Sequence, residues 1–254
     1  MSAVAPARST RLSAADLARY HADGWVVVRG MYDRARMAAL AAEVEGLHER
    51  MAANAPDTVH LSWEDLPPGR PQRIRQLMHS EQVSPILDAM SRSNEMLDVL
   101  EQLVGPDLML FHSKLMMKAA LDGTFTPWHQ DWGYWQHESK QPTHVNCMLA
   151  IDAADEENGA LRFVNGSHLK GPVSHELFAS SSFNRGLSGD LDAFPNEMVA
   201  MEPGDAVFFG PLVIHGSGPN RSTRDRRANT FAFDRPGNQL HGDLPAANWR
   251  RGQR

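Results

Sequence analysis

His129 and Asp131 stand two residues apart in a Trp-His-Gln-Asp stretch, a spacing that suits joint ligation of one metal ion. Side chains on an extended strand alternate faces with period two, so an imidazole and a carboxylate at i and i+2 point the same way. A second histidine from a distant strand would complete a two-histidine, one-carboxylate face, which leaves open positions on non-haem Fe(II) for substrate and oxygen. The bare His-x-Asp pattern occurs three times, at His21/Asp23, His129/Asp131 and His241/Asp243, so context must choose. His21 and Asp23 fall in a helical pattern, where residues two apart diverge by about 200°. His241 and Asp243 sit in a Gly- and Pro-bearing tail, with too little chain beyond them to return a third ligand.

The third ligand is expected at His215, which ends the apolar run after Gly204 and Asp205 and is followed by Gly216, Ser217 and Gly218. Such small residues let the backbone approach a bound ligand closely. His137, His144, His168 and His175 compete for the role, but they lie nearer His129 or in loops, where a rigid metal geometry is harder to hold. Arg226 follows His215 by eleven residues, at the start of the last strong strand. Its planar fork suits the far carboxylate of a dicarboxylate cosubstrate. Arg227 would face the opposite way and competes on nearly equal terms, and with Arg221 and Arg224 the group also fits a solvated charge cluster. Trp128, Trp132, Tyr134 and Trp135 either line an apolar substrate pocket or belong to the core; His112, Arg73 and Arg75 are further candidate substrate contacts.

The elements that would position these groups change character along the chain. Ser13 and Asp16 have the spacing of a capping box and open a short helix that Gly24 stops; an apolar strand over 25–28 follows. Asp33 caps a long helix carrying Met37, Leu40, Val44 and Leu47 on one face, expected to cover a sheet. Residues 56–71 read as a loop in which Trp63 is a candidate for a pocket rim. Ser84 with Pro85, and Ser93 ahead of Met96, Leu97, Leu100 and Leu103, start two more helices. From 108 the period is that of strands: 108–118, then 144–152, 160–164, 197–201, 206–209, 212–215 and 227–234. This pattern predicts a mainly β fold with flanking helices, a sandwich or jelly roll. Residues 165–196 are polar, Gly- and Ser-rich and too long for a hairpin loop, which fits either a lid or a disordered insertion.

The chain length suits one domain: a disordered lead over 1–12, helical support over 13–105 and a β core over about 106–235. A net charge of −6 lacks the basic field that nucleic acid or an anionic membrane would require, leaving a small molecule as the expected partner. No apolar run is long enough to cross a bilayer, and Cys147 is the single cysteine, so a reducing compartment, the cytoplasm, is expected. Oligomeric state leaves no trace in the sequence.

The chain resembles the phytanoyl-CoA dioxygenase family of Fe(II)- and 2-oxoglutarate-dependent oxygenases from about Leu17 to Asp234. The likeness is carried by the DGWVVVRG segment, the WHQDWGYW stretch, Glu157-Asn158-Gly159-Ala160-Leu161 with Asn165-Gly166-Ser167-His168, and HGSGPN followed by the arginines. Asn165 stands where family members usually carry Pro, and Asn tolerates the same turn. The resemblance implies a double-stranded β-helix core of the cupin type, and His129, Asp131 and His215 as ligands of Fe(II). It implies Arg226 with Ser217 at the distal carboxylate of 2-oxoglutarate, and Lys114 and Gln130 near that cosubstrate. The implied reaction consumes O2 and 2-oxoglutarate, releases succinate and CO2, and hydroxylates an unactivated carbon of an amino acid or natural-product intermediate. Asp131 fills a position that halogenating relatives leave to Gly or Ala, which favours hydroxylation. Two competing readings are a cupin-like metal-dependent hydrolase or isomerase, and a non-catalytic metal-binding sensor.

Overall fold

Two antiparallel sheets face each other, and the order of elements explains why helices lie on only one of them. In the computed structural model, which describes residues 10–177, 185–190 and 192–252, the chain runs α1 (Ala14–Asp23), β1 (Trp25–Val28), α2 (Arg34–Ala53), β2 (His60–Trp63), β3 (Ile74–Met78), α3 (Pro85–Ser91) and α4 (Asn94–Leu103). It continues through β4 (Leu108–Lys118), β5 (Thr126–His129), the short α5 (Trp132–Trp135), β6 (Val145–Ala150), β7 (Leu161–Phe163), β8 (Glu176–Leu177) and β9 (Arg185–Gly186). It ends with β10 (Glu197–Met198), β11 (Ala206–Phe209), β12 (His215–Ser217), β13 (Arg226–Asp234) and β14 (Trp249–Arg251). The large sheet has the order β1-β11-β6-β13-β4-β3-β2, with β14 also on β4; the small sheet is β10-β7-β12-β5; β8 and β9 pair alone. This is a jelly roll, as the strand pattern predicts.

The helices begin where the sequence says they should. Ser13 and Asp16 form a reciprocal capping box, and Asp33, Ser84 and Ser93 each accept a backbone N–H of the first turn. Each such cap is worth about 1 kcal/mol. Met37, Leu40, Val44 and Leu47 of α2 are buried against Val26, Leu77, Leu115, Cys147, Phe208 and Phe231, the outward residues of the large sheet. Their inward neighbours are left to line the space between the sheets: Met148 of β6, Phe209 of β11 and Arg226 and Thr230 of β13. On β4 the register with β13 slips between Ala232 and Phe233, so β4 carries an extra residue there. Adjacent Phe111 and His112 therefore both reach the inner side, which a regular strand forbids.

Three expectations need correction, and a fourth stretch is described only in part. The stretch 56–71 holds β2 and leads into β3, which extend the large sheet, and Trp63 packs on the main core instead of forming a pocket rim. The apolar run 212–215 is a turn; Ile214 donates its N–H to Ser167 Oγ, and the strand starts at His215. The end of the lead is docked: Leu12 is buried, and Gln102 binds both its N–H and its carbonyl, whereas residues 1–9 lie outside the described residues. The insertion 165–196 carries a short helical turn over Ser167–Lys170 and the β8–β9 pair; its residues 178–184 and 191 fall outside the described part.

Candidate metal centre and cosubstrate pocket

His129 and His215 sit directly opposite each other on antiparallel β5 and β12, with ring centroids 4.2 Å apart. Each ring is oriented the same way. Nδ1–H of His129 donates to the Pro127 carbonyl at 2.9 Å and that of His215 to the Val213 carbonyl at 3.0 Å, which leaves both Nε2 lone pairs aimed inward. Such partners fix the tautomer of a ligating imidazole. Asp131 arrives differently from the sequence expectation. It is in helical geometry, just beyond the end of β5 and at the entrance of α5, so the period of two is not what brings it to His129. Its Oδ1 lies 3.6 Å from His129 Nε2 and its Oδ2 3.7 Å from His215 Nε2, while Asn146 of β6 donates to Oδ2 at 2.7 Å.

The electrostatics match a divalent cation. Burial pushes His215 down to about 4, with the neighbouring His129 adding to the effect, so the imidazole is neutral at pH 7 and able to ligate. Burial opposes ionisation of Asp131, yet His215, His129 and Lys114 outweigh it and hold the carboxyl below the usual range. The three ligand atoms lie within 4.8 Å of one another, and no other such cluster of three occurs among the described residues. Two imidazoles and one carboxylate on one side of a cavity fit the facial arrangement of non-haem Fe(II).

A narrow cavity extends from this cluster between the sheets, walled by Thr126 and Ser217 of the small sheet and Lys114, Thr230 and Arg226 of the large one. Arg226 is only 3 % exposed, donates Nη2 to the Gly159 carbonyl at 3.1 Å and leaves Nε buried with no partner. A buried guanidinium with an unused donor fits the far carboxylate of 2-oxoglutarate. Gly159 makes this possible: φ is +80°, and a Cβ there would come within 2.4 Å of the Gly218 carbonyl. Arg227, one residue on, points outward to Asp152 with two hydrogen bonds of 2.7 and 2.8 Å, which separates the two arginines the sequence left even.

A second, roomier space adjoins the first, sharing His112, Lys114, Asp131 and Trp135 with it and adding Tyr134 and Glu138. Tyr134, Trp135 and His112 thus fall where a substrate would approach. Burial pushes His112 down to about 3, and its Nδ1 has no partner.

Several other candidates do not line either space. Trp128 precedes His129 on β5 and so faces the opposite way, fully buried, its indole donating to the Asp190 carbonyl. Trp132 packs with Phe111 and Ala232. Arg73 pairs with Glu45 at the surface, and Arg75 borders a smaller hollow behind Arg226 together with Lys118. Gln130, expected near the cosubstrate, is turned away: its amide donates to the Gly171 and Leu212 carbonyls and accepts from Val173 N. Of the rival histidines, His144 is buried against Asp234, His175 accepts the Gln130 N–H, His168 contacts the His21 carbonyl and His137 is exposed. The sequence reading missed Thr126, Asn146 and Lys118. The visible signals were polar residues at inward positions of apolar strands: Asn146 alternates with Cys147, and Lys118 lies four residues beyond Lys114 on β4.

Fold and site together define a non-haem Fe(II)- and 2-oxoglutarate-dependent oxygenase. The family model for phytanoyl-CoA dioxygenase (PhyH) matches residues 20–228, and the chain belongs to that family. It is 26 % identical over 236 residues to L-proline trans-4-hydroxylase of Streptomyces griseoviridis, spanning 85 % of this chain and 84 % of that one. It is 27 % identical over 236 residues to ectoine dioxygenase of Bordetella parapertussis, spanning 87 % of this chain and 74 % of the relative. Among solved structures it resembles EctD from S. alaskensis with bound Fe, at a TM-score of 0.73 and 20 % identity over 95 % of this chain and 84 % of that chain.

Proposed function

We propose that His129, Asp131 and His215 hold Fe(II), that Arg226 with Ser217 and Thr126 receives the far carboxylate of 2-oxoglutarate, and that a small polar molecule in the outer space is hydroxylated. The observation that carries this reading is the His-Asp-His cluster at one end of a buried cavity with Arg226 at another part of its wall. When bound, the iron supplies oxidative decarboxylation of the cosubstrate and activation of O2 toward an unactivated C–H bond. The chain's own residues supply placement. Arg226 selects a dicarboxylate by charge and fork geometry, Asn146 steadies the Asp131 carboxylate, and Phe209, Leu161 and Met148 keep the space between them dry. Neutral His112 offers the substrate a hydrogen bond from the wall the two spaces share, its ring beside those of Phe111 and Trp135 at centroid distances of 5.1 and 5.4 Å. The relatives named for proline and ectoine support a small, polar substrate.

We read residues 13–254 as one oxygenase domain, in which the described residues 171–175 and 185 of the insertion lie against the segment that carries Gln130 and Tyr134. Among the described residues no helix is long and apolar enough to cross a membrane, and the single cysteine is buried with its thiol pushed up by burial, in keeping with a reducing cytoplasm. The test is a screen of free amino acids and cyclic zwitterions under Fe(II), ascorbate and 2-oxoglutarate. Oxygen-dependent succinate matched by a product heavier by one oxygen is the expected result; product formation that is indifferent to 2-oxoglutarate would point to the hydrolase or isomerase reading.

A further inference from the structure

The strand ladder that aligns His129 with His215 ends at that pair, so the next backbone N–H, that of Gln130, needs an acceptor from elsewhere. It finds Nε2 of His175 at 2.9 Å. The His175 ring is itself held, Nδ1–H donating to the Val173 carbonyl at 2.9 Å, so Nε2 is the accepting nitrogen. The ring lies flat against the start of α5, where a Cβ on Gly133 would come within 2.6 Å of it. The Gln130 side chain completes the arrangement, bonding Gly171 and Val173 of the insertion and Leu212, three residues before His215. The segment between two ligands is thus tied to the insertion and to the approach of the third.

We propose that His175 is a positioning residue for the metal: by accepting the Gln130 amide it sets where Asp131, which no ladder holds, presents its carboxylate. The inference rests on the ligand assignment above. It also assigns the 171–175 part of the insertion a fixed bracing role, in place of a swinging one. Removing a partner of this kind weakens metal affinity by roughly 10- to 100-fold in comparable sites.

The experiment titrates the metal-free full chain with Co(II), reading dissociation constant and d–d absorption, for wild type, His175→Phe and His175→Gln. Phe keeps a ring against Gly133 but offers no acceptor; Gln places an oxygen close to where Nε2 stands. His175→Phe is expected to bind Co(II) at least about tenfold more weakly with an altered spectrum, and His175→Gln to recover most of the affinity. Thermal unfolding of the metal-free proteins shows whether each variant is folded. Wild-type affinity and spectrum in the Phe variant overturn the proposal, as does equal impairment of both folded variants, which would mean that ring shape alone matters. Should His175→Phe fail to fold, the Gln variant decides: near wild-type affinity supports the acceptor role, and a tenfold loss overturns it. Failure of the wild type to bind Co(II) at all would instead strike the ligand assignment.

Discussion

Replacing Arg226 by Met separates the cosubstrate's two ends. The stem volume is retained in a site only 3 % exposed, while the guanidinium and its spare Nε–H are lost. Burial pushes Arg226 down to about 10, so it remains charged at pH 7 and its attraction for a carboxylate is barely screened. Truncating one partner of a buried, hydrogen-bonded charge pair costs about 2–5 kcal/mol. The lower end applies here, because Thr126 and Ser217 still line the cavity and can share the carboxylate. About 2–3 kcal/mol corresponds to a rise of roughly 30- to 150-fold in KM for 2-oxoglutarate. The assay measures succinate or CO2 release against 2-oxoglutarate concentration, then repeats it with 2-oxopentanoate, which lacks the far carboxylate. Wild type should discriminate strongly between the two acids; Arg226→Met should lose most of that preference through 2-oxoglutarate alone. An unchanged KM, or undiminished discrimination, would refute the assignment of Arg226.

The other expectations follow from the same geometry. Asp131→Asn removes the charge that balances the cation, so equilibrium dialysis should show Fe(II) binding lost together with turnover; retained stoichiometric iron would count against the ligand set. Gly159→Ala puts a methyl group against the Gly218 carbonyl at positive φ, a strain of about 1–3 kcal/mol, and should raise KM for 2-oxoglutarate by displacing the carbonyl that holds Arg226; unaltered kinetics would contradict that. Burial pushes His112 down to about 3, below the 6.5 of an exposed imidazole. Between those values the unfolded chain binds more protons, so this contribution to stability is complete above pH 6.5 and declines as pH falls through the window. Denaturant unfolding of the metal-free protein between pH 7 and 4.5 should therefore show a shallower loss for His112→Gln than for wild type; equal slopes would mean that the imidazole is not held neutral.

Much of the site was legible because ligand chemistry needs particular side chains, and those are visible as letters. His129, Asp131 and His215 come together as their residue types imply, although the period of two placed Asp131 on a strand that stops two residues earlier. Composition cannot report where a ladder ends. For the same reason Leu212, Val213 and Ile214 read as strand: their apolarity reflects burial, while their backbone turns and bonds to Val164 and Ser167. Residues 60–63 and 74–78 were hidden by the prolines around them. Gln130 was misplaced because its neighbours on both sides are the proposed ligands, yet adjacent residues do not share a direction, and its amide went to the insertion. Helix starts fared better, since a cap is a local bond between residues three apart and needs no tertiary knowledge.

The opposite aims of Arg226 and Arg227 constrain how this chain can tolerate insertions and deletions. Loss of one residue between Ser222 and Asp225, with the β13 hydrogen bonds preserved, would slide the strand by one position and turn every side chain over. Phe231 would be thrust among the cosubstrate's neighbours and Thr230 pressed into the helix-covered layer. The interval between the second histidine and its arginine is therefore free to vary only in steps of two, unless the intervening turn absorbs the change.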